Sequence, residues 1–277
     1  MPESQGGNVV EQSRIRKAYR IDMRVALKWM GLVPLLLSFL FASGIIRLLP
    51  VGEKARRSSA IRTTSFISRL MLALLGVRVH VKPCERVNKA GKPRLIVSNH
   101  LSYIDVFILS SLMPAAFITS VELKNTALLG MLAAFGGSIF VERRKATGLK
   151  KEIGAVAAVL EQGFSVALFP EGTTSNGDHV QQFKNSLFDS AVITRTDILP
   201  VCLRYTRVNG EPLTPRSRDA VCYHGGMTFF RHFPKLLSRK SVDVELIPLK
   251  TITVRPHHSR KDLASLAHDA ISSAYHG

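Results

Sequence analysis

Beyond residue 77 the chain keeps changing its hydrophobic period, and that alternation narrows the folds open to it. VRVHV (77–81) alternates polar and apolar residues and reads as a strand. LIVS (95–98), AFITS (116–120), SIFVE (138–142), FSVALF (164–169) and ILPVCLRY (198–205) are apolar runs of strand length, and VDVELI and KTITV follow within 242–254. Between them lie helical stretches. YIDVFILSSL ends at Pro114, LKNTALLGMLAAF (123–135) ends at Gly136–Gly137, and TGLKKEIGAVAAVLEQG (147–163) is amphipathic. KNSLFDSAV (184–192) is a short helix, and a terminal helix begins at Ser259, which caps it. Strands that take turns with helices pack in layers, so the expected fold is α/β, a mixed sheet with helices on its faces.

The first 63 residues are of another kind. Arg14, Arg16, Lys17, Arg20, Arg24 and Lys28 precede MGLVPLLLSFLFASGII (30–46), a run without any charge. Trp29 and Lys28 at one end and Arg47 at the other are the flanks of an interfacial anchor. The run is at the short limit for a spanning helix, and Pro34 and Gly44 lie inside it. Arg47, Lys54, Arg56, Arg57, Arg62 and Arg69 follow, so a span would leave one strongly basic flank on the wrong side. A second apolar stretch, FISRLMLALLGV, covers 66–77. Together the two predict a hairpin dipping into one leaflet, with a single span or a soluble, buried helix pair as the alternatives. The expected division is 1–63, a basic arm and membrane-anchoring helical segment, and 64–277, the α/β domain.

Lys and Arg number 38 against 20 Asp and Glu, a net charge of +18, which points to an anionic partner: lipid headgroups, an acidic carrier protein or nucleic acid. No recognisable nucleic-acid motif is present and aromatics make up only 7%, so no nucleic-acid partner is expected. Cys84, Cys202 and Cys222 are far apart and odd in number. They suggest neither a disulfide framework nor a metal site, and they fit a reducing, cytosol-facing location.

The chain lacks a G-x-S-x-G elbow, a Walker loop, H-E-x-x-H and G-x-G-x-x-G. Three polar clusters instead follow three strands, the ends at which α/β folds build sites. NHLSYID (99–105) follows LIVS. His100 and Asp105 would diverge on a helix or a strand, and meet only if the chain turns between them. There the aspartate can fix the imidazole tautomer, leaving the other nitrogen as a base. FPEGTTSNG (169–177) offers Glu171, the backbone of Gly172 and the hydroxyl of Thr173, a turn suited to an anion. FVERR (140–144) offers Arg143 or Arg144 for a bidentate phosphate contact.

In order and spacing these clusters resemble the motifs of the glycerolipid acyltransferases, and above all the 1-acyl-sn-glycerol-3-phosphate acyltransferases. NHLSYID resembles NHxSxxD, GGSIFVERR their second motif, FPEGTTS their FPEGTRS, FKNS (183–186) a downstream FKxG stretch, and ILPV (198–201) their fourth motif. The resemblance covers roughly residues 65–255. It implies direct transfer of a fatty acyl chain from acyl-CoA or acyl-ACP to the hydroxyl of lysophosphatidic acid, giving phosphatidic acid. His100 would be the base and Asp105 its orienter. Arg143, Glu171, Gly172 and Thr173 would hold the acceptor, with Lys124 and Lys184 as further candidates. The thioester is a substrate, and no cofactor is implied. Expected partners are membrane lipids, the lysophospholipid acceptor and an acyl carrier protein; the expected location is the cytoplasmic side of a membrane, the inner one in a bacterium. Thr174 stands where many members have arginine, which leaves a lyso-ornithine-lipid or other lysophospholipid O-acyltransferase open. A lipid-binding protein without catalysis would explain the apolar segments, but not the pairing of His100 with Asp105.

Overall fold

The computed structural model describes residues 5–83, 92–142 and 148–277. Its strands are β1 (Val77–Val81), β2 (Leu95–Ser98), β3 (Ala116–Ser120), β4 (Ile139–Val141), β5 (Val166–Leu168), β6 (Ile198–Val208), β7 (Glu211–Pro212) and β8 (Val242–Pro248). They form one sheet in the order β1-β8-β6-β2-β5-β3-β4, with β7 paired to β6. From β6 to β4 the strands are parallel. β8 runs antiparallel to β6 and carries β1 parallel to itself, so the sheet is mixed.

The helices are α1 (Gln5–Leu48), α2 (Glu53–Leu75), α3 (Asp105–Leu112), α4 (Val121–Lys124), α5 (Ala127–Phe135), α6 (Leu149–Glu161), α7 (Asp189–Thr194), α8 (Pro215–Arg218), α9 (Phe229–Leu237) and α10 (Arg260–His276). A parallel sheet must be covered on both faces, and strand residues divide accordingly. Leu95, Val97, Val166 and Leu168 join a core built with α6, α7 and α10. Ile96, Ala167 and Phe169 join the opposite core, built with α2, α3 and α9.

Several elements depart from the sequence reading. The 123–135 helix is broken into α4 and α5, because Gly130 backs against the carbonyls of Leu123 and Lys124, where a side chain has no room. The expected KTITV strand is reduced to one bridge, Ile252 with Ile198: β8 ends at Pro248, the Leu249 N–H still donates to the Pro200 carbonyl of β6 (2.9 Å), and the chain then departs until Ile252. KNSLFDSAV opens as a 3-10 turn over Ser186–Phe188 before α7. The terminal helix is capped by Ser259, which forms a capping box with Asp262.

The expected boundary at 63/64 falls inside α2, which is one continuous helix. Met23–Leu48 of α1 is long and apolar enough to cross a membrane. The short 49–52 link folds α2 back along it, and α1 is tied to the domain near its middle and at its carboxyl end. Lys28 Nζ donates to the carbonyls of Leu75 (2.8 Å) and Arg239 (2.7 Å). Arg47 reaches the Ala134 carbonyl (3.3 Å) and lies over the Phe135 ring. Leu32, Phe39 and Ser43 are buried on the domain side. Met23, Leu27, Met30, Leu37, Phe41, Ile45 and Leu48, spaced by three and four or by seven, form an exposed apolar stripe on the other side.

Candidate active site

The carboxyl ends of β2 and β5 lie side by side, since Val97 pairs with Leu168. This register brings the NHLSYID and FPEGTTSNG turns together, and the two are stitched by backbone. Ser175 N–H donates to the His100 carbonyl (2.9 Å), and His100 N–H donates to Glu171 Oε1 (3.0 Å). On the other flank, Asn99 exchanges both side-chain hydrogen bonds with the Leu203 backbone of β6 (2.9 and 2.8 Å).

The chain turns after Asn99 and enters α3 at Asp105, so the two ends of the H-x-x-x-x-D spacing meet. His100 Nδ1 lies 2.9 Å from Asp105 Oδ2. The same oxygen accepts the backbone N–H groups of Leu101 (2.6 Å) and Ser102 (2.9 Å). Asp105 Oδ1 accepts the Tyr205 hydroxyl (2.6 Å). The Asp105 side chain is completely buried, whereas that of His100 is 17% exposed. Phe169 stacks on the imidazole, centroids 3.9 Å apart and planes 13° apart, fixing the ring's plane. Tyr205 is buried, and burial, then the charge of Asp105, raises its pKa well above the usual 10. It is therefore a permanent donor to the aspartate.

Glu171 is buried as well, with poorer support. Its Oε2 forms no hydrogen bond of good geometry. Burial pushes the carboxyl up to about 8; the His100 N–H pulls it down, Asp105 adds to the rise, and the Gln181 amide eases it slightly. Gly172 takes a left-handed φ of 77°. A Cβ there would stand 2.8 Å from Lys184 Nζ, so glycine is what lets this ammonium settle on the turn. Thr173 is exposed beside them.

The structure thus brings together His100, Asp105, Glu171, Gly172, Thr173 and Lys184. Lys124 stands apart, its ammonium 5.6 Å from the Phe140 ring centroid on the β3–β4 side of the edge. Arg143 and Arg144 lie outside the described residues. Tyr205, Phe169 and Asn99 were missed as supports of the histidine and aspartate. Asn99 was in view as the first letter of its motif, but nothing local to Tyr205 connects it with a carboxylate a hundred residues earlier.

A family model for acyltransferases matches residues 78–204, which contain every residue of this cluster except Tyr205. The chain is 31% identical over 212 residues to a lyso-ornithine lipid O-acyltransferase of Brucella abortus, covering 73% of this chain and 78% of the relative. It is 34% identical over 117 residues to a 1-acyl-sn-glycerol-3-phosphate acyltransferase of Neisseria gonorrhoeae, covering 42% of this chain and 46% of that one. Its fold is similar to the crystal structure of the 1-acyl-sn-glycerophosphate (LPA) acyltransferase PlsC from Thermotoga maritima. That likeness has a TM-score of 0.66 at 17% identity and covers 94% of this chain and 96% of the other. With the motifs, the fold and these likenesses in agreement, the chain belongs to the glycerolipid and lysophospholipid acyltransferase family, the family of its lyso-ornithine lipid O-acyltransferase relatives.

Proposed function

We propose that this enzyme transfers a fatty acyl chain from an acyl thioester to a lysolipid hydroxyl, with His100 as general base and Asp105 as its orienter. The observation that carries the reading is the 2.9 Å contact of His100 Nδ1 with an Asp105 oxygen that backbone amides already hold in place. With Nδ1–H donating to the carboxylate, the lone pair stays on Nε2. The acceptor hydroxyl gives its proton to Nε2 as its oxygen attacks the thioester carbonyl. The tetrahedral intermediate then breaks the C–S bond, and the leaving thiolate takes the proton from the imidazolium. Such base assistance is worth ~10²–10⁴ in rate. The transfer needs no cofactor, because the thioester of coenzyme A or acyl carrier protein is already activated. A covalent acyl-cysteine is disfavoured at Cys202 and Cys222: burial pushes both thiols up to about 12, so they stay protonated at neutral pH.

Lyso-ornithine lipid is the acceptor we favour. It is supported by relatives named for that activity that match over most of their own length, from Brucella abortus and, at 31% identity and 69% coverage, from Pseudomonas aeruginosa. Thr174 adds support, since an acceptor without phosphate needs no arginine at that position. Lysophosphatidic acid is the second reading, supported by the Neisseria likeness and by the Lys184 ammonium beside Gly172. In either case Glu171, Gly172, Thr173, Lys184 and Arg143 bind the acceptor's polar end, with Lys124 at the margin. Purified protein given labelled acyl thioester and each acceptor in turn should show the higher kcat/KM on lyso-ornithine lipid. Thr174→Arg should move the ratio toward lysophosphatidic acid. A tenfold wild-type preference for lysophosphatidic acid, a difference of ~1.4 kcal/mol, reverses the order, and no transfer to either acceptor sinks the reading.

The membrane attachment follows from α1. A helix tied to its domain by Lys28 near its middle and by Arg47 at its carboxyl end lies along the domain over that stretch. Its exposed stripe fits one leaflet, in the plane of the bilayer. The enzyme would work at the cytoplasmic face, where acyl thioesters are available. Met30→Asp with Phe41→Asp, both on the stripe, should release the folded protein to the soluble fraction. Extensive cleavage by protease added on the opposite side of the membrane would overturn the one-sided arrangement.

A further inference from the structure

The helix α9 takes no part in the chemistry above, yet its surface is unusual. Its sequence FFRHFPKLL sorts by side: His232, Leu236 and Leu237 are buried against the sheet, while Phe230 is 87% exposed. Arg231, Lys235 and Lys240 are exposed as well. Between residues 220 and 242 the basic residues are Arg231, Lys235, Arg239 and Lys240, and no acidic residue occurs.

Isolated apolar residues on a surface need no explanation, but Phe230 is not isolated. Its ring packs edge-on against Phe229 at 5.8 Å, Phe229 stacks on Phe233 at 5.1 Å, and Phe233 meets Trp29 of α1 edge-on at 5.6 Å. Trp29 is itself 42% exposed and sits between Leu27 and Met30 at the start of the α1 stripe. The apolar surface of α1 therefore continues onto α9. In the other direction Phe229 lies 5.2 Å from the ring of Tyr103, within the turn that carries His100.

We propose that α9 is a second bilayer contact, in which Phe230 enters the boundary between headgroups and acyl chains while Arg231, Lys235 and Lys240 meet anionic phospholipid headgroups. The proposal rests on the reading of α1 as an in-plane anchor. Continuity with the α1 stripe and the uniformly basic surroundings both select a negatively charged lipid surface as the occupant. Contact at α9 in addition to α1 seats the His100 turn at the lipid surface, so a lysolipid reaches it by moving within the leaflet and its acyl chain never crosses water.

Trp29 is the chain's one tryptophan, which makes the two contacts separately readable in the full chain. Wild type reports α1, and a Trp29→Phe/Phe230→Trp variant reports α9. Each is mixed with vesicles of phosphatidylcholine and phosphatidylglycerol whose acyl chains are brominated. Emission from position 230 should shift to shorter wavelength and be quenched. Quenching of Trp29 with none at position 230 overturns the α9 contact and leaves the anchor standing; quenching at neither position overturns both. A Phe230→Asp variant supplies a second measure. Its affinity for these vesicles should fall about tenfold or more, the scale of one buried phenyl ring, and its apparent KM for acceptor presented in vesicles should rise. Turnover on a short-chain, water-soluble acceptor should not change. Unaltered vesicle affinity, or an equal loss on the soluble acceptor, counts against the proposal.

Discussion

The turns at 99–105 and 169–177 leave neighbouring parallel strands at the same edge of the sheet, and each carries a buried acid. Those acids are held in opposite ways. Asp105 receives the His100 ring, two backbone amides and the Tyr205 hydroxyl, so both of its oxygens are satisfied. Glu171 receives the His100 amide at one oxygen, while the other has no hydrogen bond of good geometry. Charge at Asp105 is matched by donors before any substrate arrives. Charge at Glu171 is opposed by burial, and its proton is retained up to about pH 8. Under the proposed mechanism the first turn orients the histidine, and the second sets the Glu171 carboxyl and the Lys184 ammonium beside the acceptor.

The largest effect should come from breaking the first turn. His100→Ala should remove ~10²–10⁴ of the rate, and Asp105→Asn should leave a slow enzyme. Because the two act as a unit, the double variant should be little worse than His100→Ala alone. Labelled acyl transfer, with circular dichroism to confirm folding, measures this; near wild-type turnover in His100→Ala refutes the mechanism.

Tyr205→Phe tests whether the far side of Asp105 matters. A hydrogen bond to a charged group is worth ~1.5–3 kcal/mol, and part of that should appear as roughly a tenfold loss in kcat with the acceptor KM unchanged. A change confined to KM would show that Tyr205 acts on the acceptor and not on the aspartate.

In the second turn, Gly172→Ala forces a left-handed φ on a residue with a side chain and pushes Lys184 off the turn. The acceptor KM should rise several-fold, about 1 kcal/mol of binding, in line with the cost of such backbone strain, and kcat should change less. Equal losses in kcat and kcat/KM would place this turn in the chemical step.

Glu171→Gln is read as stability and not as turnover. The carboxyl is raised from 4.5 to about 8 in the folded chain. Above the unfolded value the unfolded chain releases a proton that the folded one keeps, so this group costs the fold stability increasingly until the pH passes about 8. The variant's melting temperature should therefore exceed wild type by a margin that is small near pH 5 and widens toward pH 8. Each kcal/mol regained is worth roughly 2–4 °C in a chain of this size. A constant or shrinking margin would mean that Glu171 ionises normally.

The motifs were legible because each is local. Asn99 to Asp105 is one turn, and its polar residues follow an apolar strand whose period is plain in LIVS. Helix α9 was not legible, since FFRHFPKLL holds a proline and aromatic residues that local propensity does not sort into a helix. Its seat on the sheet, through Leu236 and Leu237, decides the matter.

The sequence by itself determined the strand–helix alternation, the four motifs in order, and the charge-free 30–46 run with basic flanks. Each of these is a pattern over a few residues, and periodicity or turn chemistry reads it directly. Only the tertiary structure decided that β2 and β5 are neighbours and join the His100 and Glu171 turns, that Tyr205 reaches Asp105, and that α1 lies along the domain. These depend on strand order and on contacts between residues up to 211 positions apart, such as Lys28 with Arg239. No local period encodes such contacts, because they exist only once both faces of the sheet have been covered.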